Sequence, residues 1–446
     1  MLTFFKNRPV RLLLAVALIA LFSVAAAIYT FRNVRHTTGD AASLTMLREA
    51  YSVILKQYVE EPDPKKIALK MVDGMLATLD PHSAYLPPEP YHEMEVQMSG
   101  SFGGVGIELG TKEGRLTVIA PIDDTPAFRA GIQANDHIAK IDGITTHGMN
   151  ISAAVKKMRG TKGTPVTLTI LRGEAAKPLV FNLVRDIIKI KSIKPKLLDS
   201  GYGLIRISQF QERTGSEFRE ALKELHAKSG GTMKGLIIDL RYNPGGLINS
   251  CVEVVNSFIG DDIKNSAIVS IKGRTAESNR VYNASLGAKE PRYPIVVLIN
   301  GGSASASEIV AGALQDHKRA IIMGTQSFGK GSVQSIFPMK GNAALKLTTA
   351  RYYTPSGRSI QAKGIVPDVE VPNIIPLPPK EKGMVLKEKD LDKSLAADGK
   401  EEAPVVKPPV SPHGSSDTEA DLKKDYQLRR ALELLQSISL LKEKGF

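Results

Sequence analysis

Hydrophobic and polar residues alternate along this chain with a period that changes several times. Residues 12–31 form a predominantly apolar run, and residues 41–96 carry apolar side chains at the spacing of amphipathic helices. Short alternating runs in residues 97–186 predict a β-rich unit. Apolar strand runs then alternate with amphipathic helical runs through residues 187–372. This last range predicts an α/β layered core that is large enough to enclose its own interior.

The end of the chain departs from this alternation. Residues 373–417 are rich in Pro, Lys, Glu, Ala and Ser, a composition that predicts a flexible linker. Residues 418–446 predict an amphipathic helix with Leu428, Leu432 and Leu435 on one stripe. Such a stripe must be covered, either by the core or by another subunit. We expect this helix to act in assembly or in docking an adaptor protein.

The first 31 residues predict a targeting segment. Three basic residues precede the apolar run, which would span roughly 30 Å as a helix. The positive flank should stay cytoplasmic, so the rest of the chain is expected to be exported to a bacterial periplasm or cell envelope. Ala25-Ala26-Ala27 offers a cleavage site. A cleaved signal peptide and an inner-membrane anchor through residues 12–31 both stay open.

Composition narrows the classes of function. Lys and Arg outnumber Asp and Glu by 59 − 46 = 13, yet the chain has no Trp and only 6% aromatic residues. Nucleic-acid surfaces usually interleave aromatic with basic side chains, so we predict no nucleic-acid partner for this exported chain. Cys251 is the sole cysteine, which excludes an internal disulfide and a multi-cysteine metal site. We predict neither a metal ion nor a cofactor.

The β-rich unit carries a glycine cluster directly before an alternating strand. The later turns Ala130-Gly131-Ile132 and Ile141-Asp142-Gly143 follow in an order that resembles a PDZ domain. PDZ domains bind the C-terminal tails of proteins by adding the tail as a strand. The resemblance implies that a tail is captured by the cluster Gly103, Gly104, Val105, Gly106 and Ile107. The alternative is a hairpin cluster of glycines without a ligand.

Three junctions in the α/β core carry candidate chemistry. Asn243-Pro244-Gly245-Gly246 follows a strand and precedes a helix, where exposed amides could stabilise an anionic oxygen. Ser303-Ala304-Ser305-Ala306-Ser307-Glu308 would let a substrate carbonyl approach a serine. Residues 324–334 nearly match the phosphate-binding pattern G-x-x-x-x-G-K-[ST], but Gly331 replaces the hydroxyl residue and a strand pattern follows. A G-x-S-x-G nucleophile motif is also absent from the sequence.

These junctions and the PDZ-like unit together resemble the carboxyl-terminal processing, or tail-specific, serine proteases. The downstream run Thr349-Ala350-Arg351-Tyr352-Tyr353-Thr354-Pro355 fits the same family, and the resemblance covers residues 41–372. It implies an α/β multidomain fold, in which a crotonase-like protease core carries an inserted PDZ domain and helical terminal arms. The corresponding regions are a signal peptide or signal anchor (1–31), an N-terminal helical region (41–96), the PDZ domain (97–186), the serine protease core (187–372), a flexible linker (373–417) and a C-terminal amphipathic helix (418–446).

The resemblance also implies a Ser–Lys catalytic pair. By motif position, Ser305 is the nucleophile, Lys330 is the base and Gln334 orients the lysine. The oxyanion donors are the backbone amides of Gly245 or Gly246 and of Ala306. A lysine, whose ordinary pKa is roughly 10.4, must be neutral to accept a proton, and burial favours that form.

Two alternatives compete with this assignment. A Ser-His-Asp triad would use His317 and Asp316, but both lie in a polar turn that is more typical of a helix C-terminal cap. The second alternative is a catalytically inactive PDZ scaffold of the cell envelope. The joint presence of Ser305, Lys330 and Gln334 disfavours this alternative. We therefore predict an endopeptidase that cleaves proteins with apolar C-terminal tails. We expect it to be a homo-oligomer through its terminal helices, and an activating adaptor protein stays open.

Overall fold

The structure is a computed structural model. It describes residues 41–173, 177–198, 201–231, 233–260, 266–287, 289–373, 422 and 424–445. The expected targeting segment, and the expected linker apart from its first residue, lie outside these ranges. None of the helices within the described ranges is long and apolar enough to cross a membrane. The chain divides into two compact units, Met1–Tyr85 and Leu86–Phe446.

The described part of the first unit is helical. It consists of α1 (41–57) and α2 (Pro64–Ala77), followed at the division between the units by the short strand β1 (Ala84–Leu86). The Asp63 carboxylate caps α2 by accepting hydrogen bonds from the amides of Lys65 (2.8 Å) and Lys66 (3.2 Å). Pro64 occupies the first helical turn, where its missing N–H is not needed.

The second unit begins with α3 (Pro88–Ser99) and continues into a small β-rich domain. Its sheet has the order β3-β4-β5-β7-β8 with antiparallel pairing, β6 pairs with β5, and β2 pairs with β9. Alternate residues of β7 are buried, as expected for a sheet with one face on a core. The elements of this domain are β2 (Ser101–Gly104), β3 (Ile107–Lys112), β4 (Arg115–Pro121), α4 (Pro126–Arg129), β5 (His137–Ile141), β6 (Ile144–Thr145), α5 (Ile151–Met158), β7 (Pro165–Leu171), β8 (Leu179–Val184) and β9 (Asp186–Lys189).

The α/β core is built on a sheet with the order β10-β11-β12-β15-β16-β19. β10 is antiparallel to β11, and the remaining neighbours are parallel. β12 and β15 are buried along their whole length, because helices cover both faces of a parallel sheet. The elements are β10 (Ile193–Leu198), β11 (Tyr202–Ile207), α6 (Thr214–Lys228), β12 (Gly235–Asp239), α7 (Ile248–Asn256), β15 (Ile295–Ile299), α8 (Ala306–Asp316), β16 (Ile321–Gly324) and β19 (Val369–Glu370).

A second, antiparallel sheet lies beside this core. Its strands are β13 (Ala267–Gly273), β14 (Arg280–Asn283), β17 (Ser332–Met339) and β18 (Ala343–Tyr353), and a short 3₁₀ helix, Ala276–Ser278, precedes β14. β18 pairs with β17 on one side and with β13 on the other. This arrangement brings the end of β18 next to the loop that precedes β17.

The C-terminal helix α9 (Tyr426–Glu443) covers one face of the core sheet. Leu428, Leu432 and Leu435 are buried there among side chains from β12, β15 and β16. Burying each leucine contributes about 1.5–3 kcal/mol. The expected apolar stripe is therefore present. The sequence left open whether the core or another subunit covers this stripe, and in the structure the core of the same chain does so.

Candidate active site

Ser305 lies at the junction between β15 and α8. It is the N-cap of α8 and adopts φ = 56° and ψ = −113°, a left-handed backbone conformation that is strained for a residue with a Cβ. The residue is 8% exposed. Its amide donates to Oε2 of Glu308 over 2.8 Å, which holds the strained turn in place.

The Glu308 carboxylate joins the serine loop to the lysine loop. Its Oε1 accepts hydrogen bonds from Ser327 Oγ (2.6 Å) and the Gly329 amide (2.6 Å). Its Oε2 accepts from the amides of Ser305 (2.8 Å) and Lys330 (2.9 Å). The side chain is fully buried. Sequence reasoning missed that Glu308 joins the two loops, because a glutamate three residues after a serine is typical of an ordinary capping box.

Ser305, Lys330 and Gln334 line one cavity of about 410 Å³. Lys330 reaches it from the loop before β17, where a Cβ on Gly331 would come within 2.4 Å of the Gln361 amide nitrogen. A glycine is therefore required at position 331. This requirement accounts for the missing hydroxyl residue in the apparent phosphate-binding pattern, and β17 follows where that pattern needs a helix.

The Gln334 side chain is held by one end. Its Nε2 donates to Thr348 Oγ1 (2.8 Å) and to Ser332 Oγ (3.3 Å). Its Oε1 is buried and has no hydrogen-bond partner among the described residues. Leaving a buried acceptor without a hydrogen bond destabilises a fold by about 1–3 kcal/mol, so this oxygen can gain by accepting a hydrogen bond from a donor in the cavity.

The two glycines of the Pro-Gly-Gly turn differ in what their amides do. Gly245 packs on the nucleophile so closely that a Cβ would lie 2.8 Å from Ser305 Cβ and 2.9 Å from the Ala306 nitrogen. Its own amide donates to Asn243 Oδ1 over 2.9 Å. Gly246 lines the cavity beside Ser305. The Gly245 amide is thus already engaged, so of the predicted oxyanion donors the amides of Gly246 and of Ala306, the first residue of α8, stay candidates.

The serines on either side of Ser305 have structural partners. Ser303 Oγ donates to the Leu240 carbonyl over 2.8 Å, and Ser307 Oγ donates to the Asn243 carbonyl over 2.9 Å. Both serines are fully buried. These two bonds fasten the segment around Ser305 to the chain between β12 and the Pro-Gly-Gly turn, so they hold the serine turn beside the glycine turn.

Several cavity residues were not singled out from the sequence. Tyr352 Oη lies 3.5 Å from Ser305 Oγ, and burial raises the pKa of this phenol to about 12. The remaining walls are mostly apolar, and they come from α3, the start of α7, β14, β17 and β18. Such a lining suits an uncharged group of a ligand. These residues are Met94, Met98, Leu247, Ile248, Asn249, Tyr282, Ile336 and Lys346, and Pro244 of the Pro-Gly-Gly turn lies beside them.

The structure separates Ser305 from the rival triad residues. Asp316 and His317 stand at the C-terminal end of α8, which has 11 residues and is therefore roughly 16 Å long. His317 Nε2 lies 2.7 Å from the Ala267 carbonyl oxygen, and Asp316 pairs with Arg358. His317 is the C-cap of α8, as expected from the polar turn.

The predicted tail-binding segment spans the end of β2 and the start of β3. A Cβ on Gly103 would meet the Gly160 carbonyl oxygen at 2.0 Å, and one on Gly106 would meet Thr125 at 2.3 Å. The Val105 side chain belongs to the core of the β-rich domain. Packing thus accounts for these two glycines, and tail binding stays a prediction.

Comparison with known proteins assigns both domains. Residues 103–183 match the model of the PDZ domain, and residues 201–371 match that of peptidase family S41. A carboxy-terminal-processing protease of Bartonella bacilliformis is 45% identical over 88% of each chain. The carboxy-terminal processing protease CtpB of Bacillus subtilis is 35% identical over 74% of this chain and 68% of its own.

Among solved structures, the photosystem II D1 C-terminal processing protease is 27% identical. That match covers 74% of this chain and 92% of the other, with a TM-score of 0.42. The α/β core with its PDZ domain and the serine-type peptidase activity expected from the sequence are confirmed by the family matches. The chain belongs to peptidase family S41, among the carboxy-terminal-processing proteases.

Proposed function

We propose that this peptidase uses a Ser–Lys pair, with Ser305 as nucleophile and Lys330 as general base. One observation carries the proposal: a single buried carboxylate, Glu308, binds the backbone amides of both residues. Both residues also line the same cavity, where the Lys330 side chain is half-buried and apolar side chains form much of the wall. A desolvated amine is disfavoured as an ammonium, and the neutral form is the one that accepts a proton.

The reaction follows from these positions. Ser305 Oγ attacks the carbonyl carbon of the scissile peptide while its proton passes to the Lys330 amine. The resulting oxyanion accepts hydrogen bonds from the amides of Gly246 and Ala306. The C–N bond then breaks, and the leaving amine takes the proton from Lys330. Water, deprotonated by Lys330, hydrolyses the acyl-enzyme and frees Ser305.

Gln334 is proposed to orient the lysine. Its buried Oε1 can accept a hydrogen bond from the Lys330 amine, while Thr348 holds the amide from the other end. A neutral acceptor fixes the direction of the amine without adding a negative charge. A carboxylate in this place would favour the ammonium form, which cannot act as a base.

We also propose that the substrates are exported proteins whose apolar C-terminal tails bind the PDZ domain. The basic and apolar N-terminal segment supports export. A homo-oligomer through the terminal helices is supported by exposed apolar side chains on both arms. These are Leu44, Met46, Val53 and Val59 in the first unit and Leu440 and Leu441 at the end of α9.

The pair is tested by incubating the protein with an unfolded substrate that ends in an apolar residue. We expect Ser305→Ala and Lys330→Ala each to abolish cleavage, because one removes the attacking oxygen and the other removes the base. Lys363→Ala is the matched control, since Lys363 is an exposed lysine of a neighbouring loop. Full activity of Lys330→Ala would overturn the assignment of the base. Tail binding without cleavage by the wild type would favour the inactive scaffold.

A further inference from the structure

A tyrosine hydroxyl approaches the oxygen that is proposed to attack the substrate. Tyr352 Oη lies 3.5 Å from Ser305 Oγ, and the tyrosine is 4% exposed on the wall of the cavity. This distance is at the outer limit of a hydrogen bond between two hydroxyl groups. A shortening of about 0.7 Å, within reach of a rotation of the serine side chain, would complete the bond.

The backbone fixes Tyr352 relative to the lysine loop. The Tyr352 amide donates to the Gly331 carbonyl over 2.8 Å, one residue beyond Lys330. On the other side, Tyr352 pairs with Ile271 of β13. The Tyr352 backbone is thus held between β13 and the loop that carries Lys330.

The phenol is a hydrogen-bond donor at neutral pH. Burial raises the pKa of Tyr352 to about 12, so the hydroxyl keeps its proton throughout the working range of a peptidase. In the proposed pair the Lys330 amine accepts the proton of the serine hydroxyl, and a donor on a second group can fix the direction of the oxygen lone pairs before the attack.

We infer that Tyr352 is a further catalytic residue, whose hydroxyl donates a hydrogen bond to Ser305 Oγ and directs that oxygen toward the substrate carbonyl. The Ser305 proton passes to Lys330, and Tyr352 keeps its own proton at every step. When the serine oxygen becomes more negative during proton transfer, the same hydrogen bond becomes stronger. The inference rests on the proposed roles of Ser305 and Lys330.

The test compares Tyr352→Phe with Tyr353→Phe in the full chain. Both variants lose one hydroxyl from neighbouring positions of β18, but successive side chains of a strand point to opposite faces. Tyr353 packs its ring under Lys272 Nζ, 4.7 Å from the ring centre, and does not line the cavity. Two rates are measured: cleavage of an unfolded protein, and covalent labelling of Ser305 by a fluorophosphonate, which needs the activated serine but no peptide tail.

For Tyr352→Phe we expect kcat to fall about 10- to 100-fold with KM nearly unchanged, and the labelling rate to fall in proportion. Because the phenol does not titrate between pH 6 and 10, the loss should be the same across that range. Tyr353→Phe should keep both rates. A Tyr352→3-fluorotyrosine variant, which keeps a hydroxyl of similar size, should recover most of the activity.

The outcomes separate this inference from the proposed function. If Tyr352→Phe cleaves and is labelled at the wild-type rate, the inference is wrong and the Ser–Lys pair stands. If the wild type neither cleaves nor is labelled at Ser305, the proposed pair itself fails. A loss in Tyr352→Phe that 3-fluorotyrosine does not recover, with a lowered melting temperature, would assign Tyr352 a packing role and overturn the inference.

Discussion

Four hydrogen-bond donors converge on the buried carboxylate of Glu308, and the site depends on that convergence. Two of the donors are the amides of Ser305 and Lys330, whose side chains are proposed to exchange the proton. Ser305 needs this support because its left-handed backbone conformation costs of order 1–3 kcal/mol. The carboxylate also stands at the N-terminal turn of α8, where the helix dipole favours a negative charge.

Replacing Glu308 by glutamine tests this dependence. The amide keeps one acceptor oxygen, but it turns an NH₂ group toward two donors that then have no acceptor. We expect cleavage to fall at least ~100-fold and the free energy of unfolding to fall by about 2–4 kcal/mol. Activity assays and urea unfolding measure the two effects. Glu277→Gln, at an exposed site, is the control and should leave both unchanged. Wild-type cleavage by Glu308→Gln would show that the carboxylate does not position the pair.

Sequence reasoning named Ser305, Lys330 and Gln334 as the proposed site but missed Glu308 and Tyr352, which contact it. Ser305 and Lys330 lie in motifs that are recognisable along the chain, whereas Tyr352 is 47 positions from Ser305 in the sequence and meets it only in the tertiary structure. The choice between Gly245 and Gly246 depends on where the Asn243 side chain points. Contacts of this kind arise from tertiary structure and leave no local pattern in the sequence.

At the scale of elements, α9 is tied to the strand that leads into the Pro-Gly-Gly turn. The Arg241 guanidinium, which is 7% exposed, binds both carboxylate oxygens of Asp239 (2.8 and 2.9 Å) and both of Asp425 (2.6 and 2.8 Å). Gln427 joins this cluster by accepting from Arg241 and donating to the Val371 carbonyl. Asp425 is the N-cap of α9. The start of the helix and the approach to the turn are therefore fixed by one cluster of charges.

Asp425→Asn should loosen this cluster. Burial works against the charged carboxyl, but the hydrogen bonds from Arg241 hold the pKa of Asp425 below its usual range. A depressed carboxyl pKa stabilises the fold above the unfolded value of about 3.9, and the effect is lost as pH falls through the folded value. We expect the variant to lose about 1–3 kcal/mol in urea unfolding at pH 7, and this loss should shrink as the pH falls through the folded pKa of Asp425.

The control for this prediction lies on the same helix. Glu433 forms exposed ion pairs with Arg429 and Arg430, so Glu433→Gln should cost less than about 1 kcal/mol at either pH. An equal loss in the two variants at pH 7, or a loss in Asp425→Asn that does not shrink in acid, would contradict the role of the Arg241 cluster.

For the whole molecule, the sequence predicted the layers better than their packing. The continuous apolar run at residues 295–299 predicts a strand and forms β15 with those bounds. Residues 307–314 predict a helix, and α8 spans Ala306–Asp316. Such runs are strong signals because a strand buried on both faces can contain few polar residues. The sequence did not predict which surface α9 packs against, because an amphipathic stripe indicates that one helix face is buried but does not identify its partner.

The order of two domains in one chain gives the last prediction. A substrate held by its tail on the PDZ domain is presented to the protease core at a high effective concentration, of order millimolar for a flexible chain. We expect an unfolded protein with an apolar, free C-terminal carboxylate to show a KM about 10- to 100-fold below that of the same protein ending in two aspartates. The kcat should differ little, since Ser305 and Lys330 meet the same peptide bond.

The matched substrate is the apolar tail with an amidated terminus, which keeps the side chains and removes the charge. A free peptide with the apolar tail should inhibit cleavage of the first substrate and spare the other two. Equal KM values for all three would contradict recognition of the tail by the PDZ domain and leave the peptidase chemistry untouched.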